Sequence, residues 1–326
     1  MANERTKHSV VITGRIADEA MRLLEPACVV TCTKPYLAGQ EFAALMAEVK
    51  ADALLVRGVA GTVTREVMQA SGKLRVIAKH GVGVDNIDVA DATALRIPVL
   101  NTPAANYESV AEHVLGLMLA LAKDIPRLDG RMREGQWDKL GYRGEELSGK
   151  TLGLVGFGRI GRRVRELVEP LRMPVLVYDP FLPAGAATPG VTRVKVLDDL
   201  LKAADIVSLH CPLTETTRGL IGLGQLQSMK KTAWLINTAR GAVVDEAALV
   251  AALEAGEISA AALDTFSPEP PKDISRLAKA GKVVLTPHIA GVTEQSFIRM
   301  GVGAAEGILR VLSGEAPEKE AWVNPF

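Results

Sequence analysis

The stretch TLGLVGFGRIG (residues 151–161) decides the fold. Its opening TLGLV is apolar without polar alternation, as a central parallel strand buried on both faces would be. Gly156-Phe157-Gly158-Arg159-Ile160-Gly161 follows as a GxGxxG turn, and Arg162–Glu169 opens a helical pattern. In this order the glycines allow a tight turn and let the backbone approach a pyrophosphate. The helix N-terminus adds unpaired N–H groups and a positive dipole end. The next strand, PVLVYD (174–179), ends in Asp179. A dinucleotide-binding fold places a carboxylate there to accept from the adenosine ribose hydroxyls. A carboxylate also repels a 2′-phosphate, and Pro180 and Phe181 supply no cation, so NAD is expected over NADP. Arg159 is a candidate for a pyrophosphate oxygen, with a solvated loop cation as its alternative.

Outward from this motif, short strand-like runs alternate with helical patterns along the whole chain. One series comprises Ser9–Thr13, Val29–Thr33, Ala53–Val56, Arg75–Ala78 and Val99–Leu100, separated by helices such as Asp18–Leu24, Glu41–Glu48 and Arg65–Ser71. A second comprises Thr151–Val155, Pro174–Tyr178, Asp205–Leu209, Ala233–Asn237, Ala260–Leu263 and Val283–Thr286. Alternation of this kind implies parallel sheets flanked by helices. The fold class expected is α/β, with two Rossmann-like doubly wound parallel-sheet domains. Glu108–Ala122, with Val110, Val114, Leu117 and Leu121 at helical spacing, reads as a long helix able to bridge them. Residues 103–292 are expected to form the NAD-binding domain. Residues 1–102 plus 293–326 form a discontinuous substrate domain, to which a helix over Glu294–Leu312, ended by Ser313-Gly314, returns. Asp129–Ser148 reads as a long polar connection with Trp137 and Tyr142 exposed or used in contacts.

Of 326 residues, 48% are hydrophobic, which argues against disorder. The 38 basic residues balance 38 acidic ones, giving no electrostatic footprint for nucleic acid or an anionic membrane. The N-terminal MANERTKHSVVITG lacks a secretory h-region, and no apolar run reaches transmembrane length. The three cysteines, Cys28, Cys32 and Cys211, make neither a disulfide framework nor a zinc site, and no cluster has metal-ligand spacing. A cytoplasmic protein without a catalytic metal is expected.

Three chemically suited residues follow strands of the second series, where open α/β sheets bind ligands. These are Arg240 after WLINTA, Glu269 after AALDTF and His288 after VVLTP. A 2-keto acid needs a cation for its carboxylate, and a guanidinium fork suits that task. It also needs a proton donor for its carbonyl oxygen, and imidazole suits that at neutral pH. A neighbouring carboxylate, Glu269, would orient the ring and favour imidazolium. Taken singly, each residue has a plain alternative as a surface charge.

The chain resembles the D-isomer-specific 2-hydroxyacid dehydrogenases over nearly its whole length. The resemblance rests on KHGVGVDNIDV (79–89), ESVAEHVLGLMLAL (108–121), GKTLGLVGFGRIG (149–161), HCPLTETTRGLI (210–221), INTARGAVVDEAAL (236–249), AALDTFSPEPP (261–271) and TPHIAGVT (286–293). It is strongest toward the phosphoglycerate and hydroxypyruvate (glyoxylate) enzymes. It implies hydride transfer between NAD(H) and a small 2-keto or D-2-hydroxy acid, in a dimer whose domains close a cleft around substrate. Arg240 would bind the substrate carboxylate and carbonyl, and His288 paired with Glu269 would be the acid/base. Val82 and Gly83 would offer N–H groups to the carboxylate. Asp264 would accept from the nicotinamide carboxamide. Thr238 and the Cys211–Pro212 segment with Thr216 would line the cofactor. Arg57 and Lys79 match positions that bind a substrate phosphate, with plain surface cations as the alternative. The segment after Arg57 reads one residue longer than the family's usual form. The end at Phe326 implies no C-terminal regulatory domain. Hydroxypyruvate or glyoxylate, 3-phosphoglycerate and a sulfonated acid are the substrate readings. A non-catalytic NAD(H)-binding sensor or corepressor is the rival. His80, His113 and His210 read chiefly as structural or positioning residues, and His8 as a surface one.

Overall fold

Runs of valine, isoleucine, leucine and alanine form two separate parallel sheets. The computed structural model describes residues 7–58, 61–183, 185 and 189–326. The first six residues of the N-terminal stretch, and the extra length read after Arg57 at Val59 and Ala60, lie outside them. The chain divides into a first unit, Met1–Asn106 with Val292–Phe326, and a second, Tyr107–Gly291.

The first unit begins with β1 (His8–Ile12), α1 (Asp18–Leu24), β2 (Cys28–Cys32), α2 (Gly39–Val49), β3 (Ala53–Val56) and α3 (Arg65–Ala70). It continues with β4 (Val76–Lys79), α4 (Val89–Ala94) and β5 (Val99–Leu100). The strands form a five-stranded sheet in the order β2-β1-β3-β4-β5. Side chains alternate between its faces with period two. Val11, Leu54, Val56, Ile77 and Val99 pack with Phe42, Met46, Val67 and Met68 on one face. Val10, Ile12, Ala53, Leu55, Val76 and Ala78 face the other way.

The second unit holds α5 (Tyr107–Lys123), α6 (Ile125–Arg133), β6 (Leu152–Val155), α7 (Arg159–Val168), β7 (Val175–Tyr178) and β8 (Thr192–Arg193). After these come α8 (Leu197–Ala203), β9 (Ile206–Leu209), α9 (Leu223–Ser228), β10 (Trp234–Asn237), α10 (Glu246–Glu254), β11 (Ala260–Leu263), α11 (Ser275–Lys279) and β12 (Lys282–Leu285). The order is β12-β11-β10-β9-β6-β7-β8, all parallel. This is a doubly wound arrangement whose strand order reverses between β6 and β9. The first unit is completed by α12 (Glu294–Leu312). Thr293 caps α12 by accepting from the Ser296 N–H, and Gly314, at φ +92°, ends it in the left-handed region. Its Ala304, Ala305, Ile308 and Leu312 cover the second face of the five-stranded sheet.

Two elements escaped the sequence reading for physical reasons. The start of Asp129–Ser148 is helical, as the last turns of α6. That helix buries no side chain, so no apolar stripe announces it. It is braced instead by Arg127 and Arg131 on Asp138. The two-residue β8 is fully exposed and has no hydrophobic pattern. One surface expectation is corrected, and the two aromatic residues divide between exposure and contact. His8 is half-buried at the start of β1, 4.0 Å from Asp52. Tyr142 is half-buried, its hydroxyl donating to the Lys123 carbonyl at 2.8 Å, whereas Trp137 is 73% exposed.

Because Ile308 is fully buried against both early and late parts of the first unit, Ile308→Ala should destabilise that unit by about 2–5 kcal/mol. Urea unfolding should show a lower midpoint at unchanged slope; an unchanged midpoint would mean that α12 contributes little to this core.

Candidate active site

The register of the seven-stranded sheet sets the site. Tyr178, Val155, Leu209, Asn237, Leu263 and Leu285 are successive partners across six strands. The residues that follow them, Asp179, Gly156, His210, Thr238, Asp264 and Thr286, therefore leave the sheet along one edge. The second-unit residues named for chemistry lie on these loops or, for Arg159, Ile160 and Gly161, in the first turn of α7.

At the reversal between β6 and β9, Gly156 has φ +97°. A Cβ added there would sit 2.8 Å from the His210 carbonyl carbon and 2.9 Å from the Cys211 nitrogen. Gly161 is equally crowded, 2.6 Å from the Gly156 oxygen, but a Cβ on Gly158 would meet nothing within 4 Å. The outer glycines thus close the turn, and Gly158 leaves open space at the N-terminus of α7. The first-turn N–H groups of Arg159, Ile160 and Gly161 have no intrahelical acceptor there. Asp179 is held beside the turn by the Phe157 N–H at 2.8 Å and the Phe181 N–H at 2.9 Å. Each oxygen keeps lone-pair capacity for a ribose hydroxyl. Arg193, which the sequence reading overlooked, reaches this loop from β8, but its guanidinium donates to the Leu182 and Pro183 carbonyls. It is not offered to a 2′-phosphate.

Farther along the edge, Cys211 is half-buried, while Pro212 and Thr216 are exposed, with Thr216 3.0 Å from the Thr214 hydroxyl. Thr238 Oγ1 and His210 Nδ1 are buried without a hydrogen-bond partner among the described residues, as polar atoms lining a ligand cradle would be. Burial lowers the His210 pKa to about 4. Its ring is neutral near pH 7 and its Nε2 meets Ser208 Oγ at 3.0 Å. The open space at Gly158, the available acceptors on Asp179 and these orphaned groups fit a dinucleotide.

The structure brings Glu269 and His288 together. His288 Nδ1 lies 2.6 Å from Glu269 Oε2, while Glu269 Oε1 accepts from the Phe266 N–H at 2.8 Å. Burial pushes the Glu269 carboxyl up, but the bonds from His288 and Phe266 outweigh it and hold its pKa below the ordinary value. An ionised carboxylate only accepts, so Nδ1 carries the proton, on a side chain that is 46% exposed. His288 has φ +54°, a left-handed backbone unusual for a side-chain-bearing residue. Arg240, at the end of β10, is close enough to Glu269 to lower its pKa too. Its Nη1 donates to the Ala239 carbonyl at 2.7 Å, and Asn237 Nδ2 binds the Arg240 carbonyl. A Cβ on Gly241 would overlap the Phe266 carbonyl, so glycine there lets the arginine turn lie against the glutamate loop.

Asp264 is fully buried. Oδ1 accepts from Thr286 Oγ1 at 2.6 Å and the Ile289 N–H at 2.9 Å, and Oδ2 from the Ala290 N–H at 2.8 Å. Its visible work is to tie down the loop that carries His288, with one lone pair on Oδ2 left over. His113 on α5 joins this group through Thr286, a contact that sequence reading did not anticipate because it links residues 173 apart in sequence.

In the first unit, the loop after β4 presents Val82, 39% exposed, and Gly83, half-exposed. Neither N–H donates to a protein group among the described residues, while Asn101 Nδ2 pins the Val82 carbonyl and Thr102 pins Gly81. Arg57 and His80 share one ring. Arg57 lies 5.2 Å and His80 5.1 Å from the centre of Phe297. Burial and then the Arg57 charge lower the His80 pKa to about 4. Lys79 is not a surface cation. It is 6% exposed and its ammonium meets Asn86 Oδ1. Arg57 is half-buried and has no carboxylate partner among the described residues.

The glycine geometry separates folding from ligand binding. Gly158→Ala should leave the melting temperature within about 1 °C yet weaken NADH binding in a fluorescence titration, since only open space is filled. Gly161→Ala should lower the melting temperature, because backbone must move. Equal behaviour of the two would contradict the division of labour.

The family model for the D-isomer specific 2-hydroxyacid dehydrogenase NAD-binding domain matches residues 115–290. The chain is 43% identical over 312 residues to a D-3-phosphoglycerate dehydrogenase of Methanocaldococcus jannaschii, covering 95% of this chain and 58% of that protein. It is 40% identical over 308 residues to a hydroxypyruvate reductase of Thermotoga maritima, covering 94% and 99%. The crystal structure of a Thermus thermophilus protein superposes with a TM-score of 0.88 at 34% identity, covering 97% of this chain and 99% of that one. The chain thus spans between half and three-fifths of the length of the curated D-3-phosphoglycerate dehydrogenases it matches. With its doubly wound second unit and its glycine turn, the chain belongs to the D-isomer-specific 2-hydroxyacid dehydrogenase family.

Proposed function

We propose that this protein is an NAD-dependent oxidoreductase that interconverts a small 2-keto acid and its D-2-hydroxy acid. The observation that carries the reading is the short His288–Glu269 pair, which leaves imidazole Nε2 without a hydrogen bond among the described residues, with Arg240 close enough to lower the Glu269 pKa. Gly158, the N–H groups of Arg159, Ile160 and Gly161, Asp179, Cys211, Pro212, Thr216 and Thr238 would hold NAD, with the spare lone pair of Asp264 for its carboxamide. When bound, NAD(H) supplies or takes up the hydride at the substrate's second carbon. In the reducing direction His288 Nε2 gives its proton to the carbonyl oxygen, and Glu269 stabilises the imidazolium beforehand and holds the ring in place. Arg240 pairs with the carboxylate and polarises the carbonyl. A sensor or corepressor has no need of an oriented acid/base pair, so the catalytic reading is favoured.

Val82 and Gly83 are proposed as further N–H donors to the substrate carboxylate. Arg57, a half-buried guanidinium without a carboxylate partner among the described residues, is proposed for a second anionic group on the substrate. Lys79 supports it indirectly, since Asn86 binds the Lys79 ammonium and also donates to the Arg57 carbonyl at 3.2 Å. This favours 3-phosphoglycerate or another doubly anionic acid, such as a sulfonated one, over hydroxypyruvate or glyoxylate. A homodimer is proposed from the exposed apolar residues on and after α6, Ile125, Met132, Trp137 and Leu140. The three free thiols suit the cytoplasm, and no helix among the described residues is long and apolar enough to cross a membrane.

NADH oxidation with hydroxypyruvate, glyoxylate, pyruvate, 3-phosphohydroxypyruvate and 3-sulfopyruvate tests the reading. One acid should dominate in kcat/KM, and His288→Ala should lower kcat by roughly 10²–10⁴-fold while NADH still binds. No turnover with any acid, alongside intact NADH binding, would transfer support to the sensor.

The Glu269 pKa gives a pH test. A carboxyl whose folded pKa is depressed stabilises the fold at pH values above its unfolded pKa, and that stabilisation is lost as pH falls through the folded value. Glu269→Gln should therefore melt below the wild type at pH 7, and the two curves should converge below the ordinary carboxyl value of 4.5. A gap that persists in acid would assign the loss to packing.

A further inference from the structure

We propose that His113, on α5, is a positioning residue for His288, acting through the Thr286 hydroxyl and the buried Asp264 carboxylate. The proposal rests on the reading of His288 as the proton-transfer group.

The directions of the hydrogen bonds follow from what each group can do. The Asp264 carboxylate only accepts, so the Thr286 hydroxyl proton points to Oδ1, 2.6 Å away. Thr286 Oγ1 is then an acceptor toward His113 Nε2, 3.1 Å away, and that nitrogen must carry a hydrogen. The same N–H is 3.8 Å from Asp264 Oδ1. A directed chain results: His113 Nε2–H to Thr286 Oγ1–H to Asp264, which also receives the N–H groups of Ile289 and Ala290. Thr286 lies two residues before His288, and its carbonyl accepts from the His288 N–H at 3.0 Å. Ile289 and Ala290 follow His288 directly. The carboxylate therefore grips the loop on both sides of a residue held at φ +54°, a conformation that needs such restraint. Asp264 itself is fully buried. A buried carboxylate short of donors is costly, so a donor on Thr286 strengthens the whole set through polarisation. His113 supplies it from a long helix whose Val114, Leu117, Met118 and Leu121 are locked in the core of the second unit. The loop is thus referenced to a helix packed into that core. Aim matters because proton transfer and hydride transfer must meet on adjacent atoms, and a misplacement of about 1 Å can cost a factor of 10².

The test compares two replacements of His113. Leucine has similar bulk and no donor. Glutamine places its amide nitrogen near the position of the imidazole Nε2 and keeps the N–H. His113→Leu should lower kcat for the preferred 2-keto acid roughly 10- to 100-fold, with the NADH dissociation constant within about twofold, and His113→Gln should restore most of it. Thr286→Val should copy His113→Leu, and the double variant should be no worse than the poorer single one, because both interrupt one path. Long-range proton–nitrogen NMR on the wild type, with no turnover required, should find the hydrogen of His113 on Nε2.

Wild-type kcat in His113→Leu would overturn the proposal, as would equal impairment of the leucine and glutamine variants, which would mean shape alone matters. Weakened NADH binding with unchanged kcat would also overturn it, by assigning the chain of bonds to the cofactor. His288→Ala, measured alongside, keeps the two readings apart. If it retains full turnover, the acid/base reading fails. If it is inactive while His113→Leu is normal, only the positioning role fails. Should His113→Leu not fold, Thr286→Val and the glutamine variant decide the matter by the same measurements.

Discussion

Parallel strands paired in register leave a sheet on one edge together, and in this protein that constraint governs almost everything else. Six strands of the second unit place Tyr178, Val155, Leu209, Asn237, Leu263 and Leu285 side by side. At about 4.8 Å per strand the row spans roughly 24 Å. Residues far apart in sequence become neighbours one step beyond it. A slip of one residue in any strand would turn its loop away from the others and expose its buried face. The apolar pattern that fixes the register is therefore also what brings Asp179, Thr238, Arg240, Glu269 and His288 to the same edge.

Much of this was legible in the sequence because local signals and buried strands agree. Ala53–Val56, Val99–Leu100, Asp18–Leu24 and Ala260–Leu263 carry the same limits in the sequence reading and the structure, and the other strands shift by about one residue. The glycine turn was legible because each glycine answers a local need: Gly156 and Gly161 are crowded by backbone, and Gly158 is not. What escaped was tertiary or weakly apolar. No apolar stripe distinguishes α6, none of whose side chains is buried. Lys79 gives no local sign that it is buried on Asn86, nor Arg57 and His80 that they meet at Phe297, more than 200 residues away. Asp264 was named for a ligand, whereas its three protein donors appear only when β11 and the loop after β12 are placed side by side.

Charge and burial are also divided between the loops with some economy. His80 and His210 are buried and neutral near pH 7, while His288 is half-exposed and coupled to a carboxylate. Environment rather than residue type separates an imidazole fit for proton exchange from those that pack or position. The same contrast holds among the cations. Arg127 and Arg131 close on Asp138, Arg193 on two carbonyls, and Arg57, among the described residues, on an aromatic face. A guanidinium on a ring remains available to an incoming anion in a way that one locked in a carboxylate does not.

The discontinuity of the first unit has a consequence for biosynthesis. Its sheet is complete by Leu100, and one face can be covered at once by the helices threaded among its strands. The other face has only α1 until Ala304, Ala305, Ile308 and Leu312 emerge. At ribosomal rates of about 5–20 residues per second, the intervening Tyr107–Gly291 takes roughly 10 to 40 s to synthesise. During that interval the nascent chain carries a five-stranded sheet with an apolar side partly open to water, while the contiguous second unit matures beside the exit tunnel. The part made first is thus finished last, and it is that half-covered sheet which chaperones would meet.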